Sequence, residues 1–163
     1  MDAEALRDHL VAELGPEGPE YDISYGLLTA TVPPDRWRRA AEFVRRDPEV
    51  ACNFFEFLCG VDEEAAGIGV VLHVYSTNHR HHVQLRTLVP RDGGHLPTLY
   101  DLWAGANWHE RETAELFGVR FDGHPNLAKL LLPEEFEGYP LRKEFALLAR
   151  EAKVWPGAKE PGE

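Results

Sequence analysis

The chain has 163 residues, enough for one domain with a sizeable core, and its apolar and charged fractions are those of an ordinary globular protein. Its formal net charge of −11 argues against nucleic acid as the main partner, because phosphate binding needs a cationic surface. No stretch approaches the roughly 20 consecutive apolar residues that cross a bilayer, so we expect any membrane contact to be indirect.

The acidic charge is concentrated in the first part of the chain. Residues 1–66 carry six basic and fifteen acidic side chains, whereas residues 67–163 carry eleven basic and thirteen acidic ones. We therefore expect an acidic, solvated N-terminal part and a mixed-charge C-terminal half of the kind that forms protein interfaces. The acidic N-terminus has neither the basic segment nor the apolar run of a secretory signal, so we expect a cytoplasmic protein.

The first part of the chain predicts two helices with a strand or hairpin between them. Apolar residues at helical spacing predict a helix over residues 3–14. Alternating residues predict one strand, or a short hairpin, over residues 21–32. We expect a second helix to be capped by Asp35, to bury an apolar stripe that begins at Trp37, and to end at Asp47.

Three strands are predicted to follow. They span residues 53–62, 68–76 and 82–88, and Thr77-Asn78 supplies a turn that makes the last two an antiparallel pair. This succession predicts an α+β fold, with a mixed or antiparallel sheet of about four to five strands covered by helices and followed by an extended C-terminal segment.

Two further short helices are predicted after the sheet. They span residues 96–104 and 107–117. Asn107 is the expected cap of the second helix, Glu110 stands in the capping-box position, and Gly118 ends the helix.

The rest of the chain predicts a segment with little regular structure. Residues 121–145 are rich in glycine and proline yet also in aliphatic residues, so we expect them to fold along a surface, their own or a partner's. We divide the chain into an α+β sheet part (1–106), a helix with a partner-clasping loop of the same domain (107–145) and a tail (146–163). Trp155 predicts that the tail docks on another subunit, and a disordered end is the alternative.

The cysteines and histidines offer little support for a metal centre. Cys52 and Cys59 are spaced to point to opposite faces of one predicted strand, so we expect core or near-core thiols. Two thiols cannot hold an iron–sulfur cluster. His79, His81 and His82 form the most obvious group, and His73, His79 and His81 could approach one another across the predicted hairpin. No carboxylate or thiolate stands beside them at a familiar spacing, so we predict no metal ligands and keep the histidine site as a minor alternative.

The sequence contains no motif that demands catalysis. His109-Glu110 begins like a zinc-protease helix, but Thr113 stands where the second histidine is required. Phosphate loops, dinucleotide fingerprints and nucleophile elbows are absent. We expect Arg111 and Glu115 to form a structural ion pair on one helix face instead.

Glycines and prolines around Arg142 and Lys143 predict a fixed, non-repetitive backbone path. Arg142 could make fork-like contacts to a carboxylate. Two interpretations remain open: an ordered loop with an internal salt bridge, or a path shaped to clasp a partner.

The C-terminal half carries a long motif with fixed gaps. It runs through Asn107-Trp-His-Glu-Arg-Glu112, Glu115-Leu-Phe-Gly-Val119, Gly123-His-Pro-Asn-Leu127 and Gly138-Tyr-Pro-Leu-Arg-Lys143. This motif resembles that of the C-type subunit of NADH:quinone oxidoreductase, the 30-kDa-type subunit family of respiratory complex I. The resemblance covers roughly residues 20–145.

The resemblance implies a non-catalytic peripheral-arm subunit of a proton-translocating complex that transfers electrons from NADH to quinone. Such a subunit holds no flavin, nucleotide or iron–sulfur cluster itself, because these lie in partner subunits and quinone binds at a neighbouring one. The implied partners are the D-, B- and I-type subunits of the peripheral arm. The implied location is the cytoplasmic face of a bacterial cell membrane, reached only through the complex.

We predict that partner contacts come from the motif and the tail. The predicted interface residues are Trp108, Glu110, Arg111, Glu112, Phe117, His124, Pro125, Arg142, Lys143 and Trp155. Ala128 stands where the family usually has an arginine, which removes one expected salt bridge to a partner. Related subunits occur in quinone oxidoreductases with ferredoxin or other donors and in energy-converting hydrogenases, so the electron donor stays open. A self-contained histidine-metal enzyme is the least favoured alternative.

Overall fold

A computed structural model describes residues 1–15 and 19–146, so the predictions for the tail beyond residue 146, including Trp155, lie outside the described residues. The described helices and strands are α1 (Ala3–Leu14), β1 (Glu20–Ser24), β2 (Leu27–Thr31), α2 (Trp37–Arg46), β3 (Phe54–Asp62), β4 (Ile68–Ser76), β5 (His81–Val89), β6 (His95–Pro97), α3 (Ala106–Phe117) and β7 (Arg120–Asp122). Short 3-10 turns precede α2 and follow β3. Within the described ranges, no helix has the length and apolar character needed to span a membrane.

Five strands form one mixed sheet in the order β1-β2-β5-β4-β3. Strands β2 and β5 run parallel, and every other neighbouring pair is antiparallel. A parallel pair needs a long crossover, which α2, β3 and β4 provide here. Strands β6 and β7 form a separate two-stranded parallel sheet. The predicted α+β fold with a mixed sheet is confirmed.

Residues 21–32 lie in a hairpin and not in a single strand, which is the second of the two predicted arrangements. Strands β1 and β2 are joined by Tyr25 and Gly26, whose φ angles are 52° and 79°. Two successive residues with positive φ match the twist of the flanking strands, which is why such turns join antiparallel neighbours.

The helices cover one face of the sheet. Buried and less buried residues alternate along β5, as expected of a strand with one covered face. The core cluster takes from α1 and α2 the side chains of Leu6, Leu10, Leu14, Trp37, Ala40, Ala41 and Val44. The predicted apolar stripe of α2 is therefore confirmed. On the opposite face, Val61 and Leu88 remain exposed.

The predicted caps of α2 and α3 are wrong, whereas α1 begins at Ala3 as predicted. Asp35 lies inside the 3-10 turn before α2, and α2 begins without a side-chain cap. Helix α3 also begins without one, so Asn107 is not a cap and Glu110 closes no capping box. The helix stop is confirmed, since Gly118 has φ 79° directly after α3.

The predicted helix over residues 96–104 is wrong. This segment begins with β6, where Leu96 pairs with Phe121 of β7, and continues in turns. The amide of Leu99 donates to the carboxylate of Glu110. Backbone groups that would bond within a helix therefore form hydrogen bonds with residues farther along the chain.

The cysteines do not share a strand. Cys52 precedes β3 and is buried, which raises the pKa of its thiol to about 12. Cys59 lies within β3 and is exposed, so it is not a core residue, although it lines a groove against α3 at the edge of the core.

Helix α3 packs against β3 where a glycine leaves room. A Cβ atom at Gly60 would lie 2.5 Å from a ring atom of Phe117. Nδ1 of His109 lies 2.9 Å from the carbonyl oxygen of Leu58, so the ring of His109 also anchors the helix to this strand. The position of α3 thus depends on a glycine at position 60 of the sheet, where any larger residue would meet Phe117.

Gly60→Ala is expected to lower the free energy of unfolding by about 1–3 kcal/mol, because the added methyl group would displace the Phe117 ring. Urea unfolding of the purified chain measures the change. Cys59→Ala, at the neighbouring exposed position, is the control and should stay within about 0.5 kcal/mol of the wild type. Equal stability of the two variants would contradict the close approach of α3 to β3.

Candidate partner-binding site

Helix α3 divides its residues between an inner and an outer face, as helical spacing dictates. The inner face is buried and includes Ala106, Glu110, Thr113 and Phe117, while Glu115 and Leu116 are buried as well. The outer face carries Trp108, Arg111, Glu112 and Glu115. Of the predicted interface residues, Glu110 and Phe117 therefore point into the chain. Trp108 is 61% exposed and points outward.

Glu110 is a fully buried carboxylate that joins α3 to the segment after β6. Its Oε1 accepts a hydrogen bond from the amide of Leu99 at 2.6 Å, and its Oε2 accepts one from the hydroxyl of Thr98 at 2.5 Å. Burial raises the pKa of Glu110 to about 7, although both hydrogen bonds act in the opposite direction. The buried imidazole of His124 brings Nε2 to 3.9 Å from Oε2 of Glu110.

Residues 123–146, which we call the C-terminal strap, contain no helix or strand and lie against the outer face of α3. The carboxylate of Glu115 accepts hydrogen bonds from three consecutive strap amides. These amides belong to Leu130 and Leu131, both at 2.8 Å, and to Leu132 at 3.3 Å. Successive amides that converge on one anion form a nest, so Glu115 fixes the local path of the strap.

Arg111 holds the strap residues just before this nest. Its guanidinium donates to the carbonyl oxygen of Ala128 at 2.9 Å and to that of Lys129 at 3.0 Å. The predicted ion pair between Arg111 and Glu115 is therefore wrong, because each side chain binds strap backbone instead. The ammonium group of Lys129 continues the pattern by donating to the carbonyl oxygens of Pro133, Glu134 and Phe136.

Arg142 fixes the C-terminal end of the strap through contacts with other parts of the same chain. Its guanidinium donates to the carbonyl oxygen of Phe117, at the end of α3, at 2.8 Å and to that of Arg91 at 2.6 Å. It also lies 4.4 Å above the ring of Tyr139 and 3.1 Å from a carboxylate oxygen of Asp92. The predicted fork-like contact to one carboxylate is wrong, since two of the three hydrogen-bond partners of Arg142 are backbone carbonyls.

Lys143 ties the strap to the end of β3. Its amide donates to the carboxylate of Asp62 at 2.6 Å, and its ammonium group donates to Glu64 at 2.6 Å. Arg91 binds Asp62 as well and reaches Glu144 of the strap at 2.5 Å. Arg91 first, and then the amide of Lys143, hold the pKa of Asp62 well below its usual range.

The helix and the strap together expose large apolar side chains among charged ones. These side chains are Trp108, Leu131, Tyr139 and Leu141, with exposed fractions of 61%, 62%, 40% and 52%. Leu141 lines a small groove between α3 and β3, together with Glu112 and Leu116. Large apolar side chains exposed among charged ones are typical of protein interaction sites.

The predicted interface residues fall into separate groups. Glu110 lies beside His124, and Arg142 is bonded to the backbone of Phe117. The guanidinium of Arg111 lies 5.9 Å from the ring of Trp108. Of the others, Glu112 lines the groove, Lys143 is bonded at the end of β3, and Pro125 is exposed on the strap.

Sequence reasoning missed the anchoring roles of Glu115 and Lys129. The available signal for Glu115 was its spacing from Arg111, but that signal indicated a side-chain pair. Because the actual partners are backbone groups, no pattern of side chains along the chain could reveal them.

The predicted histidine trio is not formed. The rings of His79 and His81 stack 5.8 Å apart, and each ring contacts a backbone carbonyl oxygen at 2.9 Å. His73 lies beside Glu56 instead, with Nδ1 3.3 Å from the carboxylate. The metal enzyme predicted as the least favoured alternative therefore loses its ligand set.

Comparison with known proteins gives concordant matches. The family described as "Respiratory-chain NADH dehydrogenase, 30 Kd subunit" matches residues 30–151. The NADH-quinone oxidoreductase C subunit of Roseiflexus castenholzii is 44% identical over 77% of this chain and 74% of its own length. The NADH-quinone oxidoreductase C 2 subunit of Rhizobium meliloti is 34% identical over 94% of this chain and 87% of its own length.

Two solved structures share the fold. A trypsin-resistant fragment of Nqo5 superimposes with a TM-score of 0.65 at 25% identity, over 76% of this chain and 97% of that one. A chain of the membrane-bound sulfane sulfur reductase, an archaeal respiratory membrane complex, superimposes with a TM-score of 0.76 at 25% identity, over 90% and 86%.

These matches define the chain as a member of a class of respiratory-complex subunits. Within that class, the chain belongs to the family of the 30 kDa subunit of respiratory-chain NADH dehydrogenase, which is complex I. Its relatives are subunits of NADH-quinone oxidoreductase, so the family is one of electron transport to quinone and its members have partners within the complex.

Glu110→Gln is expected to change the pH dependence of stability. The pKa of Glu110 is raised from 4.5 to about 7 in the folded chain, so the folded state binds this proton more tightly than the unfolded state. The contribution of Glu110 is therefore greatest below pH 4.5 and falls as the pH rises through 7. Relative to the variant, the wild type should lose up to about 3 kcal/mol of unfolding free energy over that range.

Urea unfolding at closely spaced pH values between 4.5 and 8 measures this difference. Glu112→Gln, which changes a carboxylate on the outer face of the same helix, is the matched control and should run parallel to the wild type. If the stability of the Glu110→Gln variant also changes with pH in parallel with that of the wild type, burial does not raise the pKa of Glu110.

Glu115→Gln is expected to release the strap at its nest, because one accepting oxygen becomes an NH₂ group that faces amide donors. Hydrogen bonds to a charged group contribute about 1.5–3 kcal/mol. Hydrogen exchange at the amides of residues 130–132 should therefore accelerate at least about 10-fold. Mass spectrometry of exchanged peptides measures the rates, with Glu112→Gln as control. Unchanged protection of these amides would rule out the nest.

Proposed function

We propose that this chain is a non-catalytic subunit of the peripheral arm of a proton-translocating NADH:quinone oxidoreductase. In this role it packs against the D-type subunit, which shapes the quinone site, and supports assembly of the complex during electron transfer from NADH to quinone. The observation that carries the proposal is the exposed apolar set of Trp108, Leu131 and Leu141, presented by a helix and strap whose backbone is held by internal hydrogen bonds.

A surface fixed in this way is suited to tight association. The strap loses little conformational freedom on binding, because Glu115, Arg111 and Arg142 already define its path. Exposed tryptophans at the centre of such surfaces often dominate binding energy. Trp108 is therefore the side chain from which we expect the largest single contribution to partner binding.

The electron carriers are proposed to lie in other subunits, with flavin and iron–sulfur clusters in partners and quinone at a neighbour. The cysteine content of the chain supports this proposal. It has only two cysteines, Cys52 and Cys59, whereas an iron–sulfur cluster needs about four cysteine ligands. We propose the D-, B- and I-type subunits as neighbours, and a location at the cytoplasmic face of a bacterial membrane with membrane contact made through the complex.

A related complex with another electron donor is the second candidate. Its specific support is the likeness to a chain of the archaeal sulfane sulfur reductase complex, which covers 90% of this chain. The proteins that co-purify with the chain distinguish the candidates. An NADH-oxidising flavoprotein among them supports the first, and a ferredoxin-, sulfur- or hydrogen-reacting subunit in its place supports the second.

Trp108→Ala is expected to reduce the amount of chain in the membrane complex at least about 10-fold, because loss of a tryptophan at a binding centre costs about 2 kcal/mol or more. The purified chain should unfold within about 1 kcal/mol of the wild type, since the side chain is 61% exposed. Native gels and quinone reductase activity of membranes, from cells in which the variant replaces the wild type, measure the effect.

Tyr25→Ala is the matched control. Tyr25 is a fully exposed aromatic residue at the β1–β2 turn, outside helix α3 and the strap, and its removal should leave assembly unchanged. If the Trp108→Ala chain assembles into the complex as well as the wild type does, the surface around Trp108 is not the partner-binding site. A wild-type chain that purifies from native membranes and cytosol only as a monomer would overturn the proposed function.

A further inference from the structure

Three polar side chains from three neighbouring strands meet on the sheet face opposite the helices. His73 on β4 is in register with Phe57 of β3, and His82 on β5 lies one diagonal position away across the β4–β5 ladder. The β3 ladder is irregular between Phe55 and Phe57, which gives Glu56 a bulged position. Bulges re-aim a side chain, and this one brings the carboxylate of Glu56 between the two imidazoles.

The two histidine–carboxylate distances are close to those between ligands of one small cation. Nδ1 of His73 lies 3.3 Å from one carboxylate oxygen of Glu56, and Nδ1 of His82 lies 3.5 Å from the other. One ligand atom from each of the three residues lies within 4.8 Å of the other two. Ligands at roughly 2.0–2.1 Å from a tetrahedral zinc ion are about 3.3 Å apart, so small side-chain rotations would complete the site.

The chemistry of the donors narrows the choice of ion. Two imidazoles and one carboxylate favour zinc and similar transition-metal ions over calcium or magnesium, which prefer oxygen ligands. His82 is 45% exposed, so the remaining coordination position opens to solvent.

We propose that Glu56, His73 and His82 form a three-ligand binding site for a zinc-like divalent cation. The ion would join β3 to β4 and β5 on the face that no described helix covers. Since β3 is the edge strand on which α3 packs, the site would stiffen the strand that carries the partner-binding helix. This inference does not depend on the proposed function, because it concerns the isolated chain.

The untagged 163-residue chain, freed of metal with a chelator and titrated with Zn²⁺ at about pH 7.5, tests the site. We expect one equivalent to bind and to raise the unfolding temperature, because an ion that binds only the folded state stabilises it. Co²⁺ in place of Zn²⁺ should give the visible absorption of a four-coordinate site with nitrogen ligands. Calorimetry and absorption spectroscopy supply the two readouts.

Glu56→Gln and His82→Ala should each weaken Zn²⁺ binding at least about 100-fold, since even the loss of a ligand's hydrogen-bond partner costs about 10- to 100-fold. His79→Ala is the matched control: it removes a neighbouring histidine at the same turn and should leave the affinity unchanged. Equal loss in all three variants, or no stoichiometric binding by a folded wild-type chain, would overturn the site. The trio would then be a carboxylate shared by two histidines through hydrogen bonds alone.

Discussion

The C-terminal strap forms no helix or strand, and this constraint decides much of what surrounds it. Buried amides and carbonyls must be paired, because leaving one without a hydrogen bond costs free energy of folding. On this surface the pairing falls to long charged side chains. Glu115 binds strap amides, while Arg111 and Lys129 bind strap carbonyls, so the charges of these residues are used within the chain.

Two carboxylates on α3 illustrate how position sets the role of a residue type. Glu110 and Glu115 are five residues apart and therefore lie on opposite sides of the helix. Glu110 points into the core, where burial raises its pKa to about 7 and where it holds the segment after β6. Glu115 points to the strap, where three amides surround it. One helix thereby positions both the strand β6 behind it and the strap in front of it.

Because the charged side chains around the strap bind groups of the chain itself, the large apolar side chains are what this region exposes. Trp108, Leu131 and Leu141 protrude from a frame whose polar groups are largely paired, which is an arrangement suited to binding without prior ordering. The part of the chain that matches the complex I 30 kDa subunit family, residues 30–151, takes in α2, β3 to β5 of the sheet, α3 and the strap.

The sequence by itself determined the elements that depend on local periodicity and the family that depends on a long motif. Helix α1, the stripe of α2, strands β3 to β5 and the stop at Gly118 followed from spacing. The short helix expected at 96–104 failed because its groups pair with β7 and with Glu110, which are distant in the sequence.

Tertiary structure alone decided what the charged residues do. Helical spacing placed Arg111 beside Glu115, but spacing cannot show that strap backbone comes closer to each of them than they come to one another. In the same way, a histidine-rich stretch suggested His79 and His81 as partners of His73, whereas the strand register and the bulge of β3 selected Glu56 and His82. Contacts between residues far apart in the chain depend on register and chain path, and those are properties of the folded molecule.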